Sequence, residues 1–342
     1  VAQQSDVVIV GAGASGLRLA GLLHRVGISA VVLEARDRIG GRLLTVEPGV
    51  DLGATWFWQH ESDVLDVIAE TGLETFPQHV QGNMMYQAPG TVQEMDGNPL
   101  DQQAWRVVGG MQKLAAGLAR ALPIDTLKLS TKVTGVQFGE MVTVSTDQGT
   151  WQAKHVVLAL PPATALANIS FSPELPADLV AVASKTPVWM GAITKAIALY
   201  ETPFWRLKGL AGSAMSHVGP LREIHDIGDF EGTFGALFGF TRDRNVTEAA
   251  VTAQLGELFG GDALSPTSVL IEDWSASEHT SPPAVFELNE YQLFGAKELR
   301  ESYFDGQLYF ASTETATSSP GHIQGALSAA KRTAAAITAL LP

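Results

Sequence analysis

The opening residues alternate between short apolar runs and helical patterning. Asp6-Val7-Val8-Ile9-Val10 runs into a glycine cluster, as a strand buried on both faces of a parallel sheet would. Ala14 to Val26 follows as a predicted helix carrying Leu17, Leu19, Leu22 and Leu23, with Gly27 as its stop. Residues 28–34 are a second apolar run ending on Glu34, which completes a strand–helix–strand opening. Further on, a helical stretch from about 60 to 72 stops at Gly72, and the polar, Gly- and Pro-punctuated residues 79–105 read as hairpin or loop. Gly109-Gly110 starts a helix through about 121. Residues 127–160 read as three strands, the last halted by Pro161-Pro162. The stretch 187–270 mixes strands with a helix near 247–259, and the Ala-rich tail from Gly325 to Leu341 reads as a closely packed helix. No repeat or long linker divides the chain, so two units are expected to interleave. One comprises 1–75, 106–165 and 271–342, the other 76–105 and 166–270.

Composition narrows the classes. With 342 residues, 46% of them hydrophobic and 17% charged, the chain can bury a large core. Lysine plus arginine number 22 against 36 aspartates and glutamates, a net charge of −14 that argues against nucleic-acid binding and suits a cationic small molecule. There is no cysteine, which excludes disulfides, thiolate metal sites, a cysteine nucleophile and a cysteine-linked cofactor. No apolar run approaches the roughly 20 residues of a membrane span. The first residues have neither the basic start nor the apolar stretch of a leader, and a cytoplasmic location is the default expectation.

The sharpest motif is Gly11-Ala12-Gly13-Ala14-Ser15-Gly16, with Glu34 closing the next strand. In such a unit one glycine makes the tight turn, the second admits a pyrophosphate to the backbone, and the third lets helix and strand pack closely. The helix N-terminus supplies N–H groups to phosphate, and the acidic residue suits two ribose hydroxyls. That acid disfavours a 2′-phosphate and so NADP, leaving NAD and FAD open. Glu34-Ala35-Arg36 then leads to Gly40-Gly41-Arg42, whose guanidinium forks fit phosphate oxygens, although a solvated basic turn would look the same. Asp51-Leu52-Gly53-Ala54-Thr55-Trp56 is a small-residue loop able to lie against a flat ring.

Lys195 sits in Ile193-Thr194-Lys195-Ala196-Ile197-Ala198-Leu199, where strand alternation puts it on one face with Ile193, Ile197 and Leu199. An ammonium facing an apolar layer must be paired or lose its proton; the bland alternative is a lysine snorkelling from a strand end. Trp56, Phe57 and Trp58, followed by His60, either line a pocket or belong to the core. Phe230, Phe234, Phe238 and Phe240 read as a buried strand and its turn, and Glu223-Ile224-His225-Asp226 as a solvated turn. No second ligand pair accompanies that tetrapeptide, so no metal is expected.

Taken in order, these motifs resemble the flavin-containing amine oxidase family, the group of monoamine and polyamine oxidases, over nearly the whole chain. The resemblance continues through Gly109-Gly110-Met111, Leu160-Pro161-Pro162, Phe171-Ser172-Pro173, Pro203-Phe204-Trp205 and Phe310-Ala311-Ser312-Thr313-Glu314-Thr315-Ala316-Thr317. It implies an α/β (α+β) two-domain, p-hydroxybenzoate-hydroxylase-like fold, with a Rossmann-like FAD domain and an interleaved mixed-sheet substrate domain. It also implies that Gly11, Gly13, Ala14, Ser15 and Gly16 approach the pyrophosphate, Glu34 the ribose, and Ala35 and Arg36 the adenine end. Gly41 and Arg42 would meet phosphate or flavin edge, Val133 the adenine, and Glu314 the ribityl-diphosphate. Gly53-Ala54-Thr55-Trp56 would run beside the isoalloxazine, and the helix beginning near His322 and Ile323 would aim its N-terminus at the pyrimidine ring. The family's lysine, here Lys195, holds a water beside flavin N5 and serves reoxidation by oxygen.

Three features depart from the family pattern. Only about 36 residues separate Gly72 from Gly109, where many members carry a helical insertion over the cavity. The two aromatic cage positions match Ala284 and His322, which with Phe57 and Trp58 are the candidate substrate residues. Ser312 stands where a glycine precedes the Thr-Glu-Thr run, and Ser318-Ser319 replaces a bulkier pair. The expected activity is oxidation of an amine or amino-acid-like substrate by non-covalent FAD. Hydride would leave the α-carbon, giving an imine, and O2 would be reduced to hydrogen peroxide. The alternatives are a flavin desaturase or dehydrogenase on a C–C bond, or a non-catalytic flavin-binding accessory protein. A small-molecule partner is expected, with no nucleic acid and no membrane, and a homo-oligomer is open.

Overall fold

The computed structural model describes residues 2–340. Its nucleotide half is built on a five-stranded parallel sheet in the order Leu127–Lys128, Ala30–Leu33, Val7–Val10, His155–Leu158, Leu308–Phe310. Val7–Val10 and Ala30–Leu33 are buried along their whole length, as two-sided apolar runs require. On one face the helix Ala14–Arg25 packs against the terminal helix Ile323–Thr338 through Leu17, Ala20, Leu23, Leu327, Ala330 and Ala334. The small residues of the tail let those backbones come close. On the other face lies a second five-stranded sheet, whose central strands Val133–Gln137, Val142–Thr146 and Gly149–Ala153 are antiparallel.

The segment 127–160 therefore holds five strands where the hydrophobic pattern predicted three, because tight turns at 138–141 and 147–148 break the apolar runs without a Pro or long loop. Two short helices, Pro162–Asn168 and Ala177–Ala183, were not evident from periodicity. Ser170–Ser172 pairs with Val133–Gln137, and Leu179 and Ala183 bury against the same sheet, so the stretch just after 166 packs with the nucleotide half.

The substrate half is a seven-stranded sheet in the order Ser268–Asp273, Thr194–Tyr200, Gly235–Thr241, Glu223–Asp226, Leu210–Ser216, Asn83–Ala88, Thr91–Met95. The last two strands form the hairpin allowed for in 79–105. Glu223–Asp226 is a buried strand, not a solvated turn: His225 and Asp226 are satisfied inside the sheet by other charged groups, which sequence spacing does not reveal. Phe238 and Phe240 lie in a strand as expected, whereas Phe230 is 67% exposed, sitting in the loop before it.

Candidate active site

One cavity of about 350 Å³ runs from the glycine loop to the substrate sheet. At its nucleotide end Gly11 has φ +105°, and a Cβ there would stand 3.0 Å from the carbonyl oxygen of Ala159. Gly16 is tighter still, since a Cβ would fall 2.0 Å from the Gly11 oxygen. Gly16 accordingly serves helix–strand packing and does not line the cavity, while Gly11, Gly13, Ala14 and Ser15 do. Glu34 is buried; its carboxylate accepts from Ala12 N–H at 2.8 Å and from Arg36 N–H at 2.9 Å. A carboxylate has about four acceptor positions, so capacity remains for ribose hydroxyls. Arg36 donates to Ser277 and Thr280 hydroxyls, both at 2.7 Å, and burial lowers its pKa. Ala35 and Val133 complete this end.

Gly41 and Arg42 line the middle of the cavity. Arg42 forms a fork with Glu314, at 2.6 and 3.2 Å. Glu314 is wholly buried behind that guanidinium and is not a lining residue, so it holds Arg42, which is the group presented to the cavity. Ser312, which replaces the expected glycine, has a buried Oγ with no partner on a residue that faces the cavity. A buried hydroxyl left unpaired is costly. Together with the glycine cradle, the half-used Glu34 carboxylate and the Arg42 fork, it fits a dinucleotide with a pyrophosphate bridge.

At the far end Gly53, Ala54, Thr55, Trp56, Trp58, Lys195 and Phe240 line the cavity, with Trp189 and Trp274 adding aromatic surface. Lys195 is 1% exposed in the strand Thr194–Tyr200. Its Nζ donates to the Asp51 carbonyl at 2.5 Å, the Thr55 hydroxyl at 2.8 Å and the Gly53 carbonyl at 3.1 Å, and stands 4.1 Å over the Phe238 ring. Ile197 and Leu199 share its apolar layer, as strand alternation predicted. Burial brings the ammonium down to about 7, against the opposing attraction of Asp51. Burial likewise raises Asp51, whose carboxyl accepts from Thr45 and from Met111 N–H.

Behind Trp56 lies a charged cluster that sequence reasoning missed. His225 is stacked on Phe238 and set edge-on to Trp56 at 5.0 Å. Its Nδ1 bonds Asp101 at 2.6 Å and its Nε2 bonds Glu223 at 3.2 Å. Burial alone would lower its pKa, but those two hydrogen bonds and charges outweigh burial and raise it. Asp101 lies in the short connection between Met95 and Trp105, so only the fold brings it to His225.

Two candidate substrate residues are corrected. Phe57 is 2% exposed and packs into the nucleotide core, because alternation along 56–58 turns Trp56 and Trp58 to the cavity and Phe57 away. Ala284 is exposed in the turn after Pro282-Pro283 and does not reach the cavity. Trp58, His322 and Ile323 do line it, His322 as the residue preceding the terminal helix. No group of acidic or histidine side chains suited to a metal occurs among the described residues.

Comparison with known proteins identifies the family. The family model described as flavin containing amine oxidoreductase matches residues 14–108 and 91–338. AofH of Mycobacterium tuberculosis, named as a flavin-containing monoamine oxidase, is 28% identical over 98% of this chain and 97% of its own. Putrescine oxidase of Kocuria rosea is 26% identical over 98% and 95%. The solved structure of a putrescine oxidase bound to putrescine superposes with a TM-score of 0.86 at 24% identity, covering 99% of this chain and 100% of that one. Cyclohexylamine oxidase from Brevibacterium oxydans gives 0.85 at 23%, covering 98% and 99%. The AofH alignment spans 447 positions against 342 residues here, so more than a hundred of its positions have no counterpart in this chain. The two family matches overlap at 91–108, which puts a break in the correspondence at the short connection carrying Asp101. The chain belongs to the flavin-containing amine oxidoreductase family.

Proposed function

We propose that the chain is an FAD-dependent oxidase of an amine carried on an apolar body, with the flavin held non-covalently and O2 as its acceptor. When bound, FAD supplies a two-electron hydride acceptor that returns its electrons to oxygen as hydrogen peroxide. The observation that carries the reading is Lys195, a fully buried lysine on the wall of a cavity that continues into a dinucleotide cradle.

Each residue has a task that follows from its surroundings. Gly11, Gly13 and Ser15 would receive the pyrophosphate, Arg42 would offer its guanidinium to phosphate or flavin edge, and Glu34 would take the ribose. The N-terminus of the helix Ile323–Thr338 would stabilise negative charge on the ring system. Trp56, Trp58, Trp189 and Trp274 exclude water and offer apolar faces. Glu34, at the nucleotide end, is the one carboxylate among the lining residues, so a second ammonium at the substrate end would find no counter-charge. That favours a monoamine over a diamine. Lys195 at about 7 is largely neutral at mildly alkaline pH and adds little repulsion against an amine. As an ammonium, Lys195 would give its three protons to three protein acceptors; as the neutral amine it keeps two, which leaves the longest contact, to Gly53, open to replacement by a water. No side chain need remove the α-hydrogen when it leaves as hydride, and the resulting imine hydrolyses in water.

The test is Lys195→Met, with the half-reactions separated by anaerobic stopped flow. Reoxidation by O2 slowed at least tenfold, with flavin reduction by the amine within a few-fold of wild type, supports the oxidase reading. Unchanged reoxidation removes Lys195 from that role, and with it the main support for an oxidase.

A further inference from the structure

Glu61 and His322 meet across 261 residues at the substrate end of the cavity. Glu61 is 1% exposed and precedes the helix Ser62–Thr71; one carboxylate oxygen accepts from Trp58 N–H at 3.0 Å and the other bonds His322 Nδ1 at 3.0 Å. A carboxylate at Nδ1 fixes which ring nitrogen carries the proton, so in neutral imidazole Nε2 bears the lone pair. That Nε2 has no protein partner among the described residues, and His322 lines the cavity. The ring is steadied at 5.4 Å by Trp58, itself a lining residue, and the His322 carbonyl by the Thr313 hydroxyl at 2.8 Å. This is a base oriented by a buried acid, with its free nitrogen on a cavity wall.

We propose that His322, positioned by Glu61, is the proton acceptor that converts the bound substrate ammonium into the free amine before oxidation. The inference rests on the amine-oxidase reading above. Alkylammonium groups lose their protons only at about pH 9–11, yet hydride can leave the α-carbon only when the nitrogen lone pair is free to form the C=N bond. In the step proposed, one N–H bond of the ammonium breaks, its electron pair stays on nitrogen, and the proton forms a bond to His322 Nε2. The imidazolium so formed is paired with Glu61. Other charged groups on the surrounding elements are already engaged. Asp63 is held by Lys331 and Gln324, Asp66 by Lys331, Glu314 by Arg42, and Lys195 by its three oxygens, while His60, exposed like His322, does not line the cavity. None of these is paired with His322.

The experiment compares FAD-loaded wild type and His322→Gln in anaerobic flavin reduction by benzylamine, cyclohexylamine and putrescine from pH 7 to 10. At pH 7.5 the variant should be slowed at least tenfold, and by pH 10, where free amine is abundant in solution, it should come within about twofold of wild type. Glu61→Gln should show a smaller loss of about three- to tenfold with the same recovery. A second readout needs no turnover. Cumylamine lacks an α-hydrogen and cannot be oxidised this way, so its binding at pH 8 can be followed in protein with 15N-labelled histidine. The ring signal absent from His322→Gln should shift from neutral to protonated positions; His322→Asn identifies that signal if the Gln variant does not load FAD. A variant profile parallel to wild type across the pH range, or an unshifted His322 ring, overturns the proposal alone. If none of the three amines reduces wild-type flavin, the amine-oxidase reading fails and takes the proposal with it.

Discussion

The two ends of the cavity are built by different means. At the nucleotide end the protein uses backbone: Gly11 and Gly16 bring strand, turn and helix so close that a methyl group has no room. At the substrate end it uses buried side-chain charge: Lys195 against three oxygens, and Asp101 against His225 against Glu223. A ligand that never varies can be recognised by a fixed loop, whose requirements are written in adjacent residues. A substrate pocket depends on groups from distant segments, each tolerable in the interior only because its partner is there.

Breaking the first construction should remove the cofactor altogether. Gly16→Val should yield no FAD-loaded protein. Gly16→Ala, with its Cβ directed 2.0 Å from the Gly11 oxygen, should cost about 1–3 kcal/mol and displace the loop, read as lost flavin absorbance and lowered Tm. Retention of full flavin by Gly16→Ala would show that the loop is more yielding than this account allows.

The second construction should respond to pH. Asp101 lies below its usual range because hydrogen bonds from His225, Asn98 and Ser213 outweigh the upward push of burial, while His225 lies above its own. A raised histidine contributes stability that is full below its unfolded value of about 6.5 and fades as pH rises through the folded value. A depressed aspartate contributes above about 3.9 and is lost as pH falls through its folded value. Asp101→Asn should therefore cost about 3–5 kcal/mol near pH 6, and less at pH 9, by denaturant titration. A cost independent of pH would mean that His225 is neutral in the folded protein.

Arg42→Lys lies between the two ends, since it keeps the charge and loses the fork to Glu314. FAD affinity should fall about tenfold, roughly 1.4 kcal/mol, in a flavin-release titration. The smallest effect belongs to a site far from either end. Thr247 caps the helix Glu248–Phe259 by accepting from Ala250 N–H, so Thr247→Ala should cost about 1 kcal/mol and leave flavin content unchanged.

The same contrast explains what could be read from sequence. The glycine loop, Glu34 and the apolar runs depend on local spacing, and the strand–helix–strand opening follows from them. Lys195 was legible because its neighbours alternate and the lysine interrupts them. Asp101, His225 and Glu61 carried no such signal, since nothing in Glu223-Ile224-His225-Asp226 tells of an aspartate 124 residues away. Phe57 shows the limit of composition: three consecutive ring-bearing residues left pocket wall and core both open, and strand-like alternation sends the middle one into the core.

In the proposed reaction this cavity oxidises amines and returns the electrons to oxygen. Double-mixing stopped flow tests it most directly: FAD-loaded protein is mixed anaerobically with benzylamine, cyclohexylamine or putrescine, then with oxygenated buffer. The visible flavin band should be lost, fastest with an apolar monoamine, and then recover rapidly with release of one hydrogen peroxide per flavin. A flavin untouched by every amine, or one that is reduced and recovers only slowly without peroxide, would contradict it.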